Sequence, residues 1–345
     1  MTLAPATPRR RPALPAALER HRHPVAHYVA RRVGAGFLTL LAFSVVVFLA
    51  TSVLPGDAAS AILGKNATGP QLRELRELMG LDVSLPEQYW TWISGLVQGD
   101  LGNSAAGYAA GGEVSIAGQI GDKLVNSLVL AGLAFWPIVI LSIAVGVLTA
   151  LYANRWPDHL LSGVTLLPAA LPEFVLGALL LAVFFSALDV LPPVSIIPAG
   201  QSALSSPEQL VLPVLTLVGV TVGAAARMVR AGMLESLAAP SVDVARLNGI
   251  SERRVVSHYA LRNALGPSVQ VLSLVAQYLV GGVLIVEYLF ACPGIGKELI
   301  DAISINDNLA VQSVTMILAA VVIAITIIAD VLVLLLDPKL RSEAL

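Results

Sequence analysis

LVNSLVLAGLAFWPIVILSIAVGVLTALYA, residues 124–153, carries no charged side chain. A hydrocarbon layer about 30 Å thick is crossed by roughly 20 apolar residues in a helix, which satisfies its own backbone donors and acceptors. This run exceeds that length. It predicts a membrane helix that tilts or protrudes, with a kink where Pro137 removes an amide donor. Working outward, five further blocks qualify. Residues 37–54 are uncharged, and a first span is expected over 34–54. Residues 160–188 contain one charge, Glu173, beside Pro172. Residues 210–226 are uncharged and continue helically past Arg227 and Arg230 to give a span near 210–232. A span near 265–287 follows, and a last one at 309–336 holds only Asp330. The expected fold is an all-α membrane protein of six transmembrane helices, with a core over 124–337.

Composition agrees. Apolar residues make up 56% of the 345 residues and charged ones 13%, about half the share of a soluble domain. A net charge of -2 gives no bulk attraction to nucleic acid. The single cysteine, Cys292, rules out an intramolecular disulfide and reads as a small residue beside a loop proline. The five histidines form no metal-ligand spacing, so no metal site is expected.

Basic residues set the orientation. With the N-terminus in the cytoplasm, Arg9, Arg10, Arg11, Arg20, Arg22, Arg31, Arg32, Arg155, Arg227, Arg230, Arg246, Arg253, Arg254, Arg262, Lys339 and Arg341 fall inside. Only Lys65, Arg73, Arg76, Lys123 and Lys297 fall outside. Six spans return the C-terminal tail, 338–345, to the cytoplasm. The Pro/Arg-rich tail, 1–33, is unlike a signal peptide, because its basic stretch is too long and the apolar block at Phe37 is long enough to stay as an anchor. It is expected to touch anionic lipid.

Two polar stretches are too long for simple turns. Residues 55–123 are expected to cap the outer mouth of the bundle. They open on the turn Leu54-Pro55-Gly56-Asp57 and continue with a short helix over 71–79, whose apolar face is Leu72, Leu75, Leu78 and Met79. Tyr89, Trp90 and Trp92 suit the headgroup level. Residues 238–264 lie inside. A helix over 241–247, a turn at Asn248-Gly249 and a second helix from Glu252 to Val256, capped by Ser251, make a rigid knob that another protein can grip.

Asp243-Val244-Ala245-Arg246-Leu247-Asn248-Gly249 resembles the cytoplasmic signature of ABC importer permeases, Glu-Ala-Ala followed after three residues by glycine. Ala245 and Gly249 match, and the first two positions depart from it. Ile250-Ser251-Glu252-Arg253-Arg254-Val255-Val256, Gly80-Leu81-Asp82, Asn126-Ser127-Leu128, Val286-Glu287 with Pro293-Gly294-Ile295-Gly296, and Leu336-Asp337-Pro338-Lys339 are similar to the oligopeptide/dipeptide/nickel branch of that family. The order and spacing match over nearly all the chain beyond the tail. The resemblance implies the type I importer fold. It also implies a second homologous permease subunit, two ABC ATPase subunits and an external substrate-binding protein as partners. Asp243, Ala245, Arg246, Gly249, Ser251, Glu252, Arg253 and Arg254 would form the ATPase-coupling loop. For Arg246, Arg253 and Arg254, acidic groups on the ATPase and lipid headgroups are both available partners. Glu287, Pro293, Gly294 and Gly296 would lie at the external mouth.

No catalytic constellation is present. The phosphate-loop pattern is missing, so ATP is expected to be used by partner subunits, and no cofactor is assigned to this chain. Glu173 and Asp330 are charges within spans, each serving either the pathway or a structural bond. The functional expectation is a cell-membrane permease for di- or oligopeptides. The alternatives are a permease for nickel or another small solute, or an ion-coupled secondary transporter, which would need paired intramembrane charges.

Overall fold

The computed structural model describes residues 24–53, 58–63, 68–109, 112, 114–198, 201, 203–264 and 268–336, and these are nearly all helical. The tail before residue 24, the Leu54–Asp57 turn, Pro267 and the C-terminal tail lie outside the described residues.

Among the described residues, five helices are long and apolar enough to cross a membrane. They belong to α1 (Pro24–Val53), α6 (Ile116–Leu151), α9 (Val211–Leu237), α13 (Ser268–Leu289) and α15 (Asn308–Leu336). α1 begins at Pro24, ahead of the expected start at residue 34, because nothing in Tyr28–Gly36 breaks a helix before the apolar block. α6 runs unbroken through Pro137.

The block expected as one span at 160–188 is two helices. α7 (Trp156–Ala169) and α8 (Glu173–Leu181, extended by a π-helical turn over Ala182–Ala187) are bent by 100°. Pro168 closes α7 and Pro172 precedes α8, so neither can supply the amides that would continue one ladder. The pair still runs from one end of the bundle to the other. Asp158 meets Arg230 near the end of α9, while beyond α8 the Ser195 amide donates to Phe290 O at 2.8 Å, past the far end of α13. The bent pair is therefore one broken span.

α9 is the hub. Of its most apolar window 61% is buried, against 11% for α15 and 17% for α1. It packs against α6, α7, α8 and α13, while α1 and α15 pair on the flank. The main core joins Leu130, Ala134 and Ile138 of α6 to Leu212, Leu217 and Val222 of α9 and to Val275, Leu279 and Val283 of α13.

Small helices cover one end: α2 (Ala58–Leu63), α3 (Gly69–Leu78), α4 (Leu85–Gln98) and α5 (Ala105–Ala109). α3 starts at a capping box in which Thr68 and Gln71 satisfy each other's groups. Two of the aromatic residues expected at the headgroup level are packed inside the protein instead. Trp92 is buried and Tyr89 half-buried, both against Phe48 of α1, and Tyr89 Oη lies 3.0 Å from Ser44 Oγ. Of the three, only Trp90 is exposed. Asp307 ties this layer down. Its carboxylate accepts from Ser104 Oγ at 2.7 Å, from the Ala105 amide at 2.6 Å and from the Ala310 amide at 3.1 Å.

Candidate functional site

At the end opposite the small helices, α9 leads directly into a compact knob. α10 (Pro240–Leu247) begins on a proline at its first turn and stops at Asn248. Gly249 then adopts φ +74, a left-handed conformation that costs an L side chain about 1–2 kcal/mol. The chain re-enters a helix through α11 (Glu252–Arg254), a π-helical turn over Val255–Ala260 and α12 (Leu261–Ala264). Ser251 stands at the cap, but its side chain makes no capping bond; its carbonyl accepts from the Arg254 and Val255 amides. Inside the knob Val242, Ala245 and Val255 are buried with Ile250 and Tyr259 against them. Ala260 and Ala264 dock this unit on Val229 and Met233 of α9 and on Ala150 of α6.

Asp243, Arg246, Gly249 and Glu252 come together at its tip. The Arg246 guanidinium donates twice to Glu252, Nη2 at 2.7 Å and Nε at 3.1 Å, across the Gly249 turn, and its Nη1 lies 3.9 Å from Asp243. That bonding holds the Glu252 carboxyl below the usual carboxylate range and raises Arg246. Arg246 is thus engaged within the knob, whereas Arg253 and Arg254 are exposed. Val244 and Leu247 project outward, Leu247 at 87% exposure.

At the far end Glu287, Pro293, Gly294 and Gly296 also converge. Glu287 is 1% exposed. It accepts from Ser127 Oγ at 2.5 Å and from the Gly296 amide at 2.7 Å, at the N-terminus of α14 (Ile295–Ser304). The positive end of that helix faces the carboxylate. Ser127 Oγ in turn accepts from the Ile295 amide at 2.8 Å, and Asn126 donates to Pro293 O at 3.0 Å. A Cβ on Gly294 would fall 2.0 Å from the Glu287 carboxyl, and one on Gly296 2.4 Å from Leu284 Cα.

This pairing of a knob at one end with a glycine-clamped carboxylate at the other sits in a recognisable sequence. The profile of the binding-protein-dependent transport system inner membrane component matches residues 142–342, and that of the N-terminal part of such membrane components matches residues 25–113. The chain belongs to this family. It is an ABC importer permease subunit of the oligopeptide/dipeptide/nickel type and a multi-pass inner-membrane protein. The glutathione transport system permease protein GsiC of Escherichia coli O6:H1 (strain CFT073) is 34% identical over 317 residues, covering 92% of this chain and 99% of that one. Its counterparts in Escherichia coli K12 and Shigella dysenteriae serotype 1 are 33% identical with the same coverage.

Glu173 and Asp330, the two charges expected within spans, lie apart. Glu173, in the first turn of α8, accepts from the Tyr278 hydroxyl of α13 rather than from backbone around Pro172. Asp330 pairs with Arg32 of α1 at 3.2 Å, binding the flanking helices together. Val244 and Leu247 are not among the expected site residues, although their i, i+3 spacing opposite buried Val242 and Ala245 marks an outward apolar face. Nor are Gly219 and Gly223 of α9, a Gly-x-x-x-Gly pattern at which neighbouring helices approach closely.

Proposed function

We propose that this permease forms, with a second homologous permease subunit, a translocation pathway for di- or oligopeptides, driven by two ATPase subunits that grip residues 238–264 in the cytoplasm. An external binding protein delivers the solute to the face that carries Glu287 and Gly294. The permease itself hydrolyses no ATP. The observation that carries this reading is the knob. Its interior is packed on Val242, Ala245 and Val255, its arms are locked by Arg246 and Glu252, and it offers Val244 and Leu247 outward. A rigid shape with an exposed apolar tip transmits a tilt, and it leaves apolar surface that a partner's groove covers. The basic residues around the knob support a cytoplasmic placement. The relatives named for glutathione transport favour a short peptide, glutathione among the probes, as the solute.

The test is uptake of radiolabelled dipeptides and glutathione by a deletion strain carrying the gene or its Gly249 variants. The native gene restores ATP-dependent uptake that survives collapse of the proton gradient. Gly249→Val, strained at φ +74 although no atom lies within 4 Å of its Cβ, lowers uptake about tenfold without loss of membrane insertion; Gly249→Asn, which tolerates this conformation, retains most of it. Full transport by Gly249→Val removes the coupling role. Uptake that vanishes with the proton gradient while ATP is maintained indicates a secondary transporter.

A further inference from the structure

α9 is continuous from the bundle centre to residue 237 and enters α10 within three residues, so a tilt imposed on the knob moves α9 first. Besides its long contact with α6, α9 holds α7, the knob-side half of the broken span. The hold has three points. At Gly223 a Cβ would fall 2.3 Å from Thr165 O and 3.0 Å from Ala169 Cβ, so the two helices approach backbone to backbone. At Gly219 it would fall 2.8 Å from Leu176 and 3.6 Å from Pro168, on either side of the 100° bend. At the knob end Arg230 Nη2 donates to Asp158 Oδ2 at 2.7 Å. Asp158 is 5% exposed. It also accepts from the Asn154 amide at 2.9 Å and from Ser162 Oγ at 3.3 Å, which fixes it to the start of α7. Arg230 Nε is buried without a hydrogen-bond partner among the described protein atoms.

We infer that the Asp158–Arg230 pair is the contact that carries knob movement into the broken span, so that α7 swings with α9 about the bend at residues 170–172. Both are positioning residues for transport. The inference rests on the knob being the ATPase contact. An ion pair with a buried partner suits this task because it holds two elements in one geometry, and it is unfavourable to leave half-broken. The Gly219–Gly223 contact alone supplies a fulcrum without a lever arm.

The experiment uses the assembled transporter with its ATPases in nanodiscs, spin labels at Val164 of α7 and Leu274 of α13, both exposed, and vanadate-trapped nucleotide. The native pair gives a nucleotide-dependent change in label separation. Asp158→Asn and Arg230→Met abolish that change and lower uptake of a labelled solute per ATP hydrolysed by about tenfold, while Arg230→Lys, which keeps a charged donor for Asp158, retains part of both. A label separation that responds equally in Asp158→Asn, or that never responds in the native protein, overturns the inference. So does a fall in uptake matched by ATP hydrolysis, which marks a merely structural bond. Crosslinking of the knob to the ATPase in the same samples tests the underlying reading separately.

Discussion

At the level of single residues the permease spends its polarity where the chain must be pinned. Glu287, buried in the last turn of α13, is held by Ser127 from α6 and by the start of α14. The glycine at position 294 exists because the carboxyl occupies the space a methyl would need. Gly294→Ala is therefore expected to destabilise the fold by about 1–3 kcal/mol, read as a lower unfolding temperature in detergent, with Ser127→Ala costing a similar amount by leaving the carboxylate short of a donor. Equal melting of Gly294→Ala and the native protein would refute that packing. The motif Pro293-Gly294-Ile295-Gly296 was legible as a motif, but its meaning was not, since the partner Ser127 lies far away in sequence. Asp330 was legible as a charge near a helix end, yet only the packing of α1 on α15 brings Arg32 to it.

At the level of elements, local sequence determined much and tertiary pairing the rest. Apolar runs with at most one charge marked the positions of α1, α6, α9, α13 and α15, because a helix satisfies its own backbone in lipid. The block at 160–188 looked like one span by length. Pro168 and Pro172 together impose a break whose angle depends on the close approach of α9 at Gly219 and Gly223. The aromatic pair Tyr89 and Trp92 looked interfacial until Phe48 offered them a packed face. In the knob, Arg246 and Glu252 bridge two arms. The Glu252 carboxyl titrates below its ordinary value of 4.5 when the knob is formed. Its contribution is present above that value and is lost as the pH falls through the lowered one. Hydrogen exchange of the amides over 249–256 is thus expected to rise relative to the rest of the loop below pH 4.5, and Glu252→Gln should remove that dependence. An unchanged pH profile in the variant would exclude the bridge as its cause.

At the level of the whole molecule, a hub helix, α9, connects a knob at one end to a broken span and, at the other end, to the elements that clamp Glu287. The small helices and α1 ride on the flank, tied by Asp307 and by the Phe48 cluster. This arrangement suits a subunit that receives force at one face and opens at the other. Its central claim is that the knob is cytoplasmic and seated on an ATPase. Leu247→Cys tests it most directly, because the one native cysteine, Cys292, is buried and its thiol is pushed up to about 11, leaving the new thiol alone reactive. In the intact transporter, Leu247→Cys is predicted to crosslink to an ATPase subunit and to resist impermeant thiol reagents added outside the cell. Labelling from outside, or crosslinks to every neighbour except the ATPase, would contradict the account.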